Sequence, residues 1–302
     1  MAFRAAEGVL LIAHGTVVEL DQLEGFLTAI RRGRPAPHTL VEEMRHRYRA
    51  IGGSPLLEVT RAQARLLSDR LALPVLPGMR FGAPSLGEAL QEAESLGLRR
   101  LYLLPAAPYS VRLYCSEARA ALSRLDSQRQ RPGLELVAVE PWGDHPRLIE
   151  AHAAAIERAA GKALAAGAPL ILSVHSLPLA VIAGGDDYQR EVERSAELIA
   201  RRLGVPYTLA YQSQGADGQE WLGPSVQSVL GTVSERSRSQ VVLAPIGFLT
   251  EHVETLYDLD VQAKAQAASL GLELLRVPAL GTDARLLDAM ADVIFATSDV
   301  GA

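Results

Sequence analysis

Short runs of leucine and β-branched residues alternate along this chain with longer segments whose apolar side chains recur every three or four positions. Nothing else in the sequence narrows the fold as much. The short runs predict strands at 8–13, 75–77, 100–104, 134–139, 169–174, 207–211, 240–244 and 272–276. The longer segments predict helices at 19–31, 39–50, 56–71, 85–96, 115–128, 147–165, 188–203, 224–236, 250–268 and 283–296. In REVERSAELIARRL, for example, Val192, Ala196, Ile199 and Leu203 share a helical face with charges between them. Strands apolar on both faces need cover on both, which crossover helices supply. The alternation therefore reads as parallel sheets flanked by helices, an α/β fold.

The pattern also repeats. LLIAHGT (10–16) and LILSVHSL (170–177) are apolar strands that end on a histidine. LYLLPAAPYS (101–110) and VVLAPIGFLT (241–250) are strands followed by proline, a turn, an aromatic residue and a hydroxyl residue. The order is the same in each half, so two similar Rossmann-like lobes are expected, 1–145 and 146–302. Ligand sites of open parallel sheets lie beyond the carboxyl ends of the strands. His14, Tyr109, His175 and the segment after Phe248 all fall there, and two such edges facing each other would make one central cleft.

Composition removes several function classes. Thirty basic against 35 acidic residues, with no long basic block, argues against a nucleic-acid partner. The single cysteine, Cys115, excludes an internal disulfide and an all-cysteine cluster, and fits a reducing, cytoplasmic setting. The longest apolar segment, 168–183, is interrupted by Ser173, His175, Ser176 and Pro178 and does not read as a bilayer span. The apolar run near the N-terminus is too short for a secretory signal. No GxSxG, Walker, GxGxxG or HExxH pattern occurs.

Three stretches can carry chemistry. ILSVHSLP (171–178) ends a core strand on His175. It is either a buried imidazole satisfied by a carbonyl or a base and metal ligand, and burial would leave it neutral near pH 7. FLTEHVETLYDLD (248–260), if helical, puts Glu251, Glu254 and Asp258 on one face, with no Lys or Arg before Lys264. This is either a solvated acidic face or a cation-handling one. RRGR (31–34) with Arg45, Arg47 and Arg49 forms a basic cluster, either paired to Glu42 and Glu43 or clamping ligand carboxylates. IGGSPL (51–56) offers Ser54 as a helix cap with Pro55 at the first helical position. His38, His46, His145 and His152 read as loop or polar-face residues without a role.

Taken together, the motifs resemble those of the ferrochelatases, enzymes that insert Fe(II) into a porphyrin with release of two protons. SVHSLP, GFLTEHVETLYDLD and YQSQGADGQEWLGPSV match the C-terminal half. RYRAIGGSPLLEVTRAQA, GMRFGAPSLGEAL and LPAAPYS match the N-terminal half in order. The resemblance implies two chelatase-type lobes about a porphyrin cleft. It makes His175 and Glu254 the catalytic pair, with Glu251, His252 and Asp258 beside them as metal-handling residues on an acidic helix containing a π-helical stretch. It sets His14, Arg31, Arg47, Ser54, Tyr109 and Ser110 against the porphyrin.

Two positions depart from the family pattern. His14 stands where many relatives carry an aromatic residue, and its AHG setting also resembles small cobalt and nickel chelatases. Glu251 stands where Asp is usual. The expected partners are porphyrin and Fe2+ as substrates, with no resident cofactor and no iron–sulfur cluster. An auxiliary Mg2+, peripheral membrane contact and a monomer or homodimer are all compatible with the sequence. The alternatives to a ferrochelatase are a chelatase of this fold for another metal or tetrapyrrole, and a non-catalytic porphyrin carrier. A carrier would be expected to lose His175 or Glu254, and this chain keeps both. The compact segment from Arg31 to Gly53 resembles the short form of Gram-positive-type enzymes that use coproporphyrin III.

Overall fold

All eight predicted strands form. In the computed structural model, which describes residues 6–129, 133–215, 218–235 and 239–300, they are β1 Glu7–Ala13, β2 Val75–Met79, β3 Arg100–Pro105, β4 Glu135–Ala138, β5 Leu170–His175, β6 Tyr207–Gln212, β7 Gln240–Pro245 and β8 Glu273–Arg276. They build two four-stranded sheets of identical order, β2-β1-β3-β4 and β6-β5-β7-β8, with every pairing parallel. The repeated motifs are thus equivalent strands, β1 with β5 and β3 with β7. Val9, Leu10, Leu11 and Ile12 of β1 are wholly buried, as are Ile171, Leu172 and Val174 of β5. Each such side chain contributes about 1.5–3 kcal/mol on burial, which fixes these strands at the centres of their sheets. The halves also share a turn: Met79 N–H donates to Pro84 O at 2.7 Å, and Tyr211 N–H to Pro224 O at 2.8 Å.

The chain forms two compact units, Met1–Trp142 with Leu286–Ala302, and Gly143–Arg285. This corrects the expected 1–145 and 146–302 division at one end. The last helix, Ala284–Val300, buries Leu286, Leu287, Met290 and Ile294 and belongs with the first unit, where Arg70 pairs with Asp288 at 3.0 Å. Among the described residues no helix is long and apolar enough to cross a membrane.

Most predicted helices appear within a few residues of their expected ends. The helix Leu86–Ser95 starts at a capping box, with Ser85 Oγ accepting from Glu88 N–H at 3.2 Å. Pro55, not Ser54, is the N-cap of the helix Leu56–Leu71, and Ser54 Oγ accepts from Leu56 N–H at 3.4 Å. Leu179–Ala183 is a short helix that periodicity did not reveal. His152 was expected on a polar face but is 5% exposed, inside the buried stripe of the helix Pro146–Ala165. The single helix expected at 250–268 is three pieces: Val253–Leu256, a π-helix Asp258–Ala263, and Lys264–Ser269. Gln262 N–H donates to Tyr257 O at 3.0 Å, the five-residue step that defines the π turn. Leu259, Ala263 and Ala267 anchor these pieces in a core with Ile171, Leu230 and Leu243.

Candidate active site

In this strand order the chain leaves β5 and β7 toward opposite sides of the sheet, which opens a crevice at their carboxyl ends. His175 is the last residue of β5, and the loop after β7 carries Glu254 to the same place. Gly247 lets that loop pass: a Cβ there would lie 3.0 Å from Val174 Cα. His175 Nδ1 and Glu254 Oε2 meet at 3.0 Å, although 79 positions separate them in sequence. Three further bonds hold the pair in place. Tyr188 Oη donates to His175 O at 2.7 Å, Ser173 Oγ donates to Gln212 Oε1 at 2.8 Å, and Gln212 Nε2 donates to Glu254 O at 2.9 Å.

Burial alone does not set the direction at His175, contrary to the expectation from sequence. Burial disfavours its imidazolium, but the Glu254 charge and hydrogen bond, joined by the Asp258 charge, outweigh burial and lift it above the ordinary histidine range. His252 moves the other way. Burial depresses it, and the neighbouring carboxylates offset this only in part. Its Nδ1 accepts the Glu254 N–H at 3.1 Å, so that nitrogen carries no proton and acts as a helix cap.

The acidic run does not act as one face. Glu251 precedes the helix and is bound through both oxygens by the Arg276 guanidinium, while Ala279 N–H donates to its Oε1 at 2.8 Å. Burial would raise the Glu251 carboxyl, but Arg276 outweighs it and holds the group below the usual range. Asp260 Oδ2 lies 3.1 Å from the same guanidinium. Asp258 accepts from Ser213 Oγ at 2.6 Å. Of the five expected metal-handling residues, the structure thus joins His175 and Glu254 and sets the Asp258 charge near them. It engages His252 in capping and Glu251 in an ion pair. The local absence of Lys and Arg was real, but Arg276 reaches in from the end of β8. Among the described residues no three His, Cys, Asp or Glu side chains converge as a preformed metal cage.

The first unit has the equivalent edge at β1 and β3. His14 follows β1 directly, with Nδ1 at 3.1 Å from Tyr114 Oη and its ring edge-on to Phe81 at 5.2 Å. The Arg80 guanidinium lies 4.8 Å from the Phe81 ring centroid and pairs with Glu117 at 3.1 Å. Gly15 is required here: its φ is +99°, and a Cβ would sit 1.6 Å from Phe81 O. That close passage lets Phe81 N–H donate to His14 O at 2.9 Å and fixes the histidine's backbone. Tyr109 is buried beyond β3, and Ser110 O accepts the Tyr114 N–H at 3.3 Å. Arg45 and Arg47 pair along their own helix, His38–Ala50, with Glu42 and Glu43. Among the described residues Arg31, Arg32 and Arg34 have no carboxylate partner.

A family model described as Ferrochelatase matches residues 6–298. The chain belongs to the ferrochelatase family. It is an enzyme of haem biosynthesis that inserts iron into a porphyrin. Its relatives include the ferrochelatase of Thermus thermophilus, 36% identical over 95% of this chain and 98% of the relative. They also include the coproporphyrin III ferrochelatase of Geobacillus kaustophilus, 33% identical over 95% and 94%. Among solved structures the chain resembles SirB from Bacillus subtilis with Fe3+, at a TM-score of 0.61 and 13% identity over 97% of this chain and 95% of that one. It also resembles CbiX, the terminal enzyme of siroheme biosynthesis in denitrifying bacteria, at a TM-score of 0.55 and 17% identity over 96% and 98%. These likenesses show the two-lobed chelatase fold.

Sequence reasoning missed Tyr114, Tyr188, Gln212, Ser213 and Arg276. Gln212 and Ser213 were inside a quoted motif. Arg276, alone at the end of a predicted strand downstream of an uncompensated acidic run, was the one visible signal for its role.

Proposed function

We propose that the protein inserts Fe(II) into coproporphyrin III, that His175 and Glu254 are its catalytic pair, and that it does so in the cytoplasm without a resident cofactor. The observation that carries the reading is the 3.0 Å contact between His175 Nδ1 and Glu254 Oε2 at the crevice of the second sheet. Metal insertion must remove two protons from the pyrrole nitrogens and water from the ion. The Glu254 carboxylate favours a proton on His175, and the 3.0 Å contact gives that proton a path between imidazole and carboxylate. His175 can ligate the ion only after its own proton has left, so metal uptake and proton release are coupled at this pair. Asp258, whose charge is felt at His175, is the next acceptor along the π-helix.

The choice of porphyrin rests on charge. Arg31, Arg32 and Arg34 lack carboxylate partners within the described chain, and guanidinium groups suit carboxylates as ligands. Coproporphyrin III offers four propionates where protoporphyrin IX offers two. The relative from Geobacillus kaustophilus carries the coproporphyrin III name at 33% identity. Each additional exposed pair contributes up to about 1 kcal/mol, so kcat/KM should favour coproporphyrin III by roughly 10-fold. Anaerobic steady-state assays with both porphyrins measure this ratio, and a preference for protoporphyrin IX overturns the assignment.

His14 gives a spectroscopic test of the same site. His14 follows β1 at the carboxyl edge of the first sheet, its ring held by Tyr114 and Phe81, and product haem should be contacted by this imidazole. His14→Phe should shift the Soret band of the haem complex. An unchanged spectrum with unchanged turnover would return His14 to a packing role.

A further inference from the structure

The helix that carries Glu254 has only four residues, Val253–Leu256, before the π segment begins. A helix that short does not hold its own shape, so the position of Glu254 depends on what anchors its two sides. One guanidinium reaches both. Arg276 is the last residue of β8, registered opposite Leu243 of β7, and the following Val277 N–H donates to Leu243 O at 2.8 Å. From that fixed base its side chain, 9% exposed, binds both oxygens of Glu251, three residues before Glu254. It also lies 3.1 Å from Asp260, six residues after Glu254. The segment after β8 reinforces the upstream side, with Ala279 N–H bound to Glu251 at 2.8 Å and Gly281 N–H bound to Leu249 O at 2.7 Å.

We infer that Arg276 is a positioning residue for metal insertion: by clamping Glu251 and Asp260 on either side of Glu254, it sets the Glu254 carboxylate against His175 and assigns those two flanking acids to structure rather than to metal handling. The acidic run is thereby divided. Glu254 and Asp258 serve the His175 side, and Glu251 and Asp260 neutralise Arg276. A lysine could supply the charge but not the planar fork that holds two carboxylates at once.

This inference rests on His175 and Glu254 being the reacting pair, so the test includes Glu254→Gln. Arg276→Gln, Arg276→Lys, Glu251→Gln and the Glu251→Gln/Arg276→Gln double variant are assayed anaerobically with Fe(II) and porphyrin, with a melting curve for each. Arg276→Gln and Glu251→Gln should each lower kcat about 10-fold or more, with both KM values within roughly 3-fold of wild type. The double variant should be no slower than the slower single, because both changes undo one clamp. Arg276→Lys should fall between wild type and Arg276→Gln. It also provides the test if Arg276→Gln does not fold, since it keeps a cation against the two acids. Wild-type kcat in folded Arg276→Gln or Arg276→Lys, or penalties that multiply in the double variant, would overturn the inference alone. So would a raised KM for Fe(II) confined to Glu251→Gln, which would return Glu251 to the metal. Normal turnover of Glu254→Gln would overturn the catalytic pair and this inference with it.

Discussion

His175→Ala and Glu254→Gln should each lower kcat by at least about 10²-fold, the low end for loss of an acid–base group. Porphyrin affinity should change much less, because neither substitution touches the residues expected to hold the ring, Arg31 and His14 among them. Glu254→Gln is nearly isosteric and keeps the Gln212 bond, which goes to the Glu254 backbone carbonyl. What it removes is the charge that holds His175 above the ordinary histidine range. Burial then weighs more heavily against the imidazolium, and the imidazole loses its partner for passing a proton on. His175→Ala leaves the Tyr188 hydroxyl bond to the residue 175 carbonyl intact, so the strand end should stay formed. The double variant should be little slower than the slower single, as happens when two groups serve one step. Melting curves separate chemical loss from unfolding. Penalties that multiply in a folded double variant would mean separate steps, and near-normal turnover in either single would remove the pair from the site.

The sheets were legible because a parallel strand covered on both faces must be apolar throughout, and such runs stand out from helical periodicity. The repeat was legible for the same reason. β1 and β5 are central strands, and the histidines at their ends sit where open α/β sheets bind ligands. Long-range polar contacts left weaker traces. Tyr114 meets His14 across 100 positions, and Arg276 meets Glu251 across 25. Helical spacing also misled at one place. Reading 250–268 as one helix put Glu251, Glu254 and Asp258 on a shared face. Glu251 precedes the helix, which starts only at Val253, and the π segment starts at Asp258, so the three acids have three different partners. The resemblance implied the π segment; spacing alone could not. The Leu179–Ala183 helix escaped because five residues are too few to show a period. His152 was misread because its alanine neighbours are compatible with either face of a helix, and only packing against the sheet decides which is buried.

That buried histidine should make the second unit sensitive to acid. His152 is 5% exposed, its Nε2 has no hydrogen-bond partner among the described residues, and burial pushes its imidazole down to about 3. In the unfolded chain the same group titrates near 6.5. Between these two values the unfolded state binds the extra proton, so stability rises with pH across this window and is lost as pH falls through it. The slope from one proton is about 1.4 kcal/mol per pH unit. His175 contributes with the opposite sign. Its folded affinity for the proton is raised, so its share of stability is complete below the unfolded value and is lost as pH rises through the folded one. Comparing wild type with His152→Leu isolates the first effect. Leucine fills a similar volume, favours the helix more than histidine does, and breaks no hydrogen bond at Nε2. Urea unfolding should find the variant at least as stable as wild type at pH 7, with a pH dependence between 6 and 4 shallower by about 1.4 kcal/mol per unit. Parallel stability curves for the two proteins would show that His152 is protonated at no cost in the fold, and would overturn its place as the buried neutral group.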